Sequence, residues 1–137
     1  MRVLHIYAGN LYGGIETMLA TIARSPDLCP SLESHFALCF EGRLSDEITS
    51  ARAPLYRLGA VQVRRPWTVW RARRALAEAL RRDSFHAVIC HSPWPLAIFG
   101  PVVRAAGRPL VFWLHEYLSG RSWIEKWARR CPPDLAI

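Results

Sequence analysis

Apolar and polar residues along this chain follow two alternating rhythms. Arg2 to Ala8 is a short apolar run closed by Gly9-Asn10, with the length and make-up of a buried strand. Beyond Gly13-Gly14, residues Ile15, Met18, Leu19 and Ile22 fall at i, i+3, i+4 and i+7, the spacing of one helix face. Ser25 to Glu33 carries the breakers of a loop, and His35 to Glu41 reads as a second strand ending at Gly42. Leu44 to Arg52 suits a short helix and Leu55 to Leu58 a brief third strand. Val69 to Arg82 is helical, with Val69, Ala72, Leu76, Ala79 and Leu80 as its apolar stripe. His86 to His91 is a fourth strand, and Leu96 to Ala106 a helix with a break or kink expected at Gly100-Pro101. Pro109 to Leu114 is a fifth strand, too uniformly apolar for a wet face. A helix over Ser122 to Arg130, with Trp123 and Trp127 one turn apart, precedes Pro133 to Ile137, the first residues of a sixth strand.

Strands alternating with amphipathic helices predict an α/β fold, a parallel sheet with helices on both faces, stopping at the start of a sixth strand. In such sheets ligands bind outside the carboxyl ends of the strands. Gly13-Gly14 follow the first strand on that edge, His91 the fourth, and His115-Glu116 the fifth. His5 lies mid-strand as a packed core residue, while His35 and His86 sit at the opposite edge. A strand-end histidine also has a purely structural use, held by a neighbouring loop.

The strand–glycine–helix opening places unpaired backbone N–H groups and a helix dipole at the sheet edge, an arrangement suited to a phosphate or carboxylate. It is not a P-loop, since no Gly-Lys-Ser/Thr is present. Counting GxGxxG from Gly9, the third position is Leu11, although the sixth is Gly14. Two uses remain open for Gly13-Gly14: an anion cradle, or simply a turn that lets the helix pack closely. Glu16, in the first helical turn, offsets the dipole in either case.

With 137 residues, 51% hydrophobic and 21% charged, the chain is one folded domain. Its longest apolar runs are too short to cross a bilayer, and its start makes a poor signal peptide, so a cytoplasmic location is expected. Cys29, Cys39, Cys90 and Cys131 lack metal-ligand spacing; Cys39 and Cys90 lie in apolar strands, as small buried hydrophobes do. The net charge of +7 arises from 17 Arg and one Lys, and favours anionic partners. Trp67 and Trp70 project onto the polar side of the 69–82 helix together with Arg71, Arg74 and Arg81. That face suits an anionic membrane surface, which would make the protein peripheral at the inner face of the membrane. It equally suits a solvated basic face with Trp70 stacked on Arg74. No zinc or stacking-aromatic signature suggests nucleic acid.

The opening LHIYAGNLYGGIETMLATIA, with Gly13-Gly14-Ile15-Glu16 directly after a strand, resembles the start of family 4 glycosyltransferases. The VFWLHE segment resembles the second signature of their N-terminal domains, an apolar strand ending in histidine. The resemblance implies a GT-B enzyme of two Rossmann-like domains that transfers sugar from a nucleotide-diphospho-sugar to a hydroxyl acceptor with retention. By it, His115 would bond a sugar hydroxyl as the catalytic histidine. Gly13 and Gly14 would present N–H groups to the donor diphosphate, with Glu16 completing the motif. His91, Ser92 and Glu116 would line the acceptor side. No cofactor and no metal are implied, the nucleotide sugar being substrate; the acceptor is a hydroxyl compound, often lipid-linked. The nucleotide-binding C-terminal domain is not in this sequence, so the chain alone is expected to be inactive and to need that domain in cis or in trans. Two other classes compete: a Rossmann-type nucleotide- or cofactor-binding domain using Gly9, Gly14 and Glu41, and a membrane-surface module using the arginine–tryptophan face.

Overall fold

A computed structural model describes residues 1–10, 12–115 and 117–137. The strands β1 (Arg2–Tyr7), β2 (Glu33–Leu38), β3 (Leu55–Arg57), β4 (Ala87–His91), β5 (Leu110–Trp113) and β6 (Leu135–Ala136) form one sheet. They lie in the order β3-β2-β1-β4-β5-β6, every neighbouring pair parallel. The winding direction reverses between β1 and β4, so the switch point falls in the middle of the sheet. The helices are α1 (Gly14–Arg24), α2 (Arg43–Ser50), α3 (Pro66–Arg82), α4 (Pro93–Ala105) and α5 (Trp123–Ala128), with one 3-10 turn at Pro26–Leu28.

Two apolar layers fix the sheet between its helices. On one side Leu4, Ile6, Val88, Cys90, Leu110 and Phe112 pack against Ala72, Leu76 and Leu80 of α3 and Ile98, Phe99 and Val103 of α4. On the other, Phe36 and Leu38 meet Leu19, Ala20 and Ala23 of α1 and Leu44 and Ile48 of α2. Period-2 alternation in the strands divides the residues between the two layers.

Three expectations are corrected. First, α4 runs unbroken through Gly100-Pro101. Its surface is buried from Ala97 to Gly100 and again at Val103, and the Arg73 Nε–H donates to the Ile98 carbonyl at 2.7 Å. Tertiary packing thus outweighs the amide that proline removes. Second, β5 is not dry on both faces: Leu110 and Phe112 are buried, but Val111 and Trp113 only partly. The layer under α1 and α2 draws on β2 and contains no residue of β4 or β5. Third, β2 ends at Leu38, so Glu41 lies beyond it in a loop. There the exposed carboxylate accepts from Arg57 Nε–H at 2.8 Å.

Cys39 and Cys90 are buried as expected, Cys131 joins them, and Cys29 is exposed. Burial pushes the Cys39 thiol up to about 12 and raises that of Cys90 as well, so neither ionises near neutrality.

Candidate functional site

The carboxyl edge of the central strands carries the chemistry. β1 ends at Tyr7, and the chain turns at Gly9, whose φ of +88° is open to glycine but strained for other residues. A Cβ there would also stand 3.1 Å from the Phe40 carbonyl oxygen. The conformational demand accounts for Gly9 without a ligand. Tyr12 anchors the following loop to α2: its hydroxyl donates to both Glu47 oxygens at 3.0 Å, and the Arg43 guanidinium lies over its ring. Arg43 Nε–H also donates to Glu47 at 2.8 Å, which holds the Glu47 carboxyl below its ordinary range.

Within the glycine motif the roles differ from those expected. The Gly13 N–H donates to Glu16 Oε2 at 2.9 Å, so this amide is committed inside the motif and is not offered to a diphosphate. Glu16 is buried, its other oxygen is without a hydrogen-bond partner among the described residues, and its carboxylate turns back on its own helix start. The donors left at the start of α1 are the N–H groups of Gly14, Ile15 and Glu16, which precede the first intrahelical bond, from Thr17 N–H to the Gly13 carbonyl. Gly14 is exposed, and a Cβ on it would meet nothing within 4 Å. Apolar spacing marks Ile15 only as a helix-face residue; its backbone N–H matters because Gly13 is engaged by Glu16.

On the neighbouring strands the histidines are joined. His5 Nδ1 lies 2.9 Å from His91 Nε2, and His91 Nδ1 lies 2.9 Å from His115 Nε2. His91 is fully buried, so it does not line an acceptor surface as expected; it reaches the edge through His115, which is half-exposed two residues past β5. Burial, reinforced by the two flanking imidazoles, pushes His91 down to about 2, and burial alone pushes His5 down to about 4. The Trp113 ring packs against both His91 and His115 at 5.4 Å. His5 is buried as expected, but its link to His91 depends on strand register, which residue pattern does not reveal.

Ser92 follows His91 at φ +110° and ψ +163°, a region almost closed to non-glycine residues, and its hydroxyl does not cap α4. Glu116 lies outside the described residues. Of the two histidines at the opposite edge, His35 bonds Glu33 and Tyr56, and His86 Nδ1 accepts from the Arg2 N–H. Among the described residues no group of three His, Cys, Asp or Glu side chains is arranged to hold a metal ion. A cleft of about 560 Å³ between Thr21 and Pro54 lies at the amino edge, away from these groups.

On α3, Trp67 and Trp70 are exposed by 61% and 62%, and Arg71 and Arg81 are exposed beside them. Arg74 is shared between Glu78, to which its Nε–H donates at 3.1 Å, and the Trp70 ring at 5.6 Å. No helix among the described residues is long and apolar enough to cross a membrane.

The fold is shared with solved structures. MurG from Acinetobacter baumannii matches with a TM-score of 0.75 at 13% identity, covering 98% of this chain and 40% of that one. Anabaena HepE, solved in complex with UDP, matches with a TM-score of 0.68 at 16% identity, over 99% of this chain and 37% of that one. HepE in complex with UDP-glucose gives 0.64 at 17% identity, over 96% and 34%. The chain therefore spans about two fifths or less of the length of these neighbours. No curated protein matches it in sequence. The model of the family described as "Glycosyl transferase 4-like domain" matches residues 13–134, from the glycine motif to the last strand, and the chain belongs to that family.

Proposed function

We propose that this chain is the acceptor-side half of a two-domain glycosyltransferase that moves a sugar from a nucleotide-diphospho-sugar to a hydroxyl acceptor with retention. The observation that carries the reading is the common edge: the start of α1 and His115 follow the carboxyl ends of β1 and β5, two strands of one parallel sheet separated by β4 alone. HepE, which shares the fold, was solved with UDP and with UDP-glucose, in keeping with a nucleotide-sugar donor. Departure of a diphosphate builds negative charge. N–H groups of Gly14 and Ile15 aimed at it would favour the transition state over the ground state. His115 would bond a hydroxyl of the transferred sugar and act mainly through orientation. The Ser92 hydroxyl would meet the acceptor. In this reading the nucleotide-binding half, in cis or in trans, supplies the remaining groups, and no metal is assigned a step. The Trp67–Arg81 face of α3 would rest on an anionic membrane, bringing the edge to a lipid-linked acceptor.

The test is transfer itself, measured with a panel of nucleotide sugars and hydroxyl acceptors. The isolated chain should show negligible turnover, and the chain combined with a nucleotide-binding half should show transfer that His115→Ala abolishes. Brisk turnover by the isolated chain would overturn the two-half reading. Transfer indifferent to His115→Ala would overturn the site.

A further inference from the structure

Three imidazoles from three places in the sequence are joined end to end across β1, β4 and the segment after β5. The ring centroids of His5 and His91 are 5.1 Å apart and those of His91 and His115 5.2 Å, with Trp113 against the rings of His91 and His115. The two linking distances, 2.9 Å each, are hydrogen bonds, so each needs one proton between its nitrogens.

A neutral imidazole has one N–H and one lone pair. His91 bonds through both nitrogens, so it must donate at one and accept at the other. Its single proton therefore couples the two bonds, and the whole row has only two arrangements. In one, His5 Nδ1–H donates to His91 Nε2, and His91 Nδ1–H donates to His115 Nε2. In the other every bond is reversed: His115 Nε2–H donates inward, and the proton of His5 is forced onto Nε2.

The inner end decides between them. His5 is buried with its ring stacked on Phe36 at 5.3 Å, and its Nε2 has no hydrogen-bond partner among the described residues. The reversed row places an N–H on that atom, a buried donor facing no acceptor, which folded proteins rarely tolerate. The forward row leaves only a bare lone pair there.

We propose that His5 and His91 are positioning residues that fix the tautomer of His115, with Nε2 accepting from His91 and the proton held on Nδ1. This deepens the glycosyltransferase reading and rests on it only for what the proton is used for. With its Nε2 lone pair engaged by His91, His115 is a hydrogen-bond donor toward a sugar oxygen and not a base that abstracts a proton from the acceptor. Burial keeps His91 and His5 neutral, the condition under which each of these rings has one N–H and one lone pair. Neighbouring groups that orient a functional imidazole in this way are a recurrent means of fixing its tautomer.

The test is ring-nitrogen NMR on the 15N-labelled chain, which separates protonated from bare imidazole nitrogens without any substrate. His5, His91 and His115 should each show a protonated Nδ1 and a bare Nε2 at neutral pH. A protonated Nε2 on His115, or an averaged pair, would overturn the proposal. His91→Asn, whose amide nitrogen takes roughly the place of Nδ1, should preserve the His115 signature. His91→Phe, which packs but cannot donate, should turn it into a mixture of tautomers; an unchanged signature would overturn the positioning role. If His91→Phe does not fold, the wild-type spectrum still decides. Because the readout is not transfer, a wrong tautomer sinks only this inference, and transfer indifferent to His115 sinks only the function.

Discussion

The Glu16 carboxylate accepts the N–H of Gly13 at 2.9 Å, three residues back across the first turn of α1. It makes the N3 half of a capping box, accepting the amide of the N-cap residue, at a helix whose N-cap glycine has no side chain to bond the first-turn amides. Glu16→Ala should therefore destabilise the fold by about 1–2 kcal/mol, combining a lost cap with a lost charge at the helix start. Glu16→Gln keeps a carbonyl acceptor for Gly13 and should lose less. Urea unfolding of both variants would check the order, and equal losses would mean that the hydrogen bond is not what stabilises the loop.

Strain at Ser92 gives a prediction of the opposite sign. A non-glycine residue at φ +110° and ψ +163° carries about 1–3 kcal/mol of backbone strain. Glycine relieves it and forfeits about 0.4–1 kcal/mol through the greater freedom of the unfolded chain. Ser92→Gly should accordingly raise stability by about 1 kcal/mol, and Ser92→Ala should leave it unchanged because the hydroxyl caps nothing. If the hydroxyl serves the acceptor, both variants lower transfer, so stability and activity move apart.

Stability should fall with acid earlier than carboxylates alone would require. His5 and His91 have folded-state values of about 4 and about 2, against about 6.5 unfolded. The unfolded chain thus binds more protons below pH 6.5. The stabilisation is complete above that pH and is lost as pH falls toward 4. Each histidine contributes a slope of about 1.4 kcal/mol per pH unit in that window. The lowered carboxyls of Glu33, Glu47 and Asp83 act in the same direction only below their own unfolded range, near pH 4. Urea midpoints between pH 4 and 7 would show the slope, and His91→Phe should remove one proton's worth of it.

How much was legible beforehand depends on distance along the chain. All six strands and five helices could be read from period and punctuation, because apolar spacing and glycine or proline breaks are local. So could the edge on which Gly14, His91 and His115 fall, since parallel topology sends every strand the same way. The Gly13–Glu16 bond was open to inference from its three-residue spacing, but sequence offers one amide to two acceptors and cannot say which takes it. The His5–His91 link was hidden for a different reason. In the sheet His5 pairs with Ile89, two residues before His91 on the same face, and register across 86 residues is a property of packing. The unbroken α4 was likewise masked: proline speaks against a helix locally, while the burial that sustains it comes from α3 and α5.

The exposed face of α3 predicts salt-sensitive binding to anionic vesicles. Reversing Arg74 and Arg81 to Glu removes two basic contacts worth about 1 kcal/mol each, so affinity should drop at least ~30-fold. Neither residue belongs to the core, so the fold should persist. Sedimentation with phosphatidylglycerol vesicles would measure the loss; equal binding by wild type and variant, or equal binding to neutral vesicles, would mean the face is merely solvated.

Gly100 offers a test of how α4 is kept against α5. A helix interior ordinarily gains about 1 kcal/mol when glycine becomes alanine. Here the added Cβ would stand 2.9 Å from Cys131 Sγ, closer than packed atoms approach, and 3.4 Å from its Cβ. Both residues are buried where α4 meets the chain leaving α5. Gly100→Ala should thus destabilise by about 1–3 kcal/mol, the ordinary range for overpacking, in spite of its better helix propensity. Cys131→Ala alone should cost something through the cavity it leaves. The double variant fills that cavity with the new methyl group and relieves the clash, so it should be more stable than the sum of the single changes allows. A coupling energy of about 1 kcal/mol or more in the double-mutant cycle is expected. Additive effects would show that the two residues do not meet, and that the close approach of α4 to the end of α5 is not what requires glycine at this position.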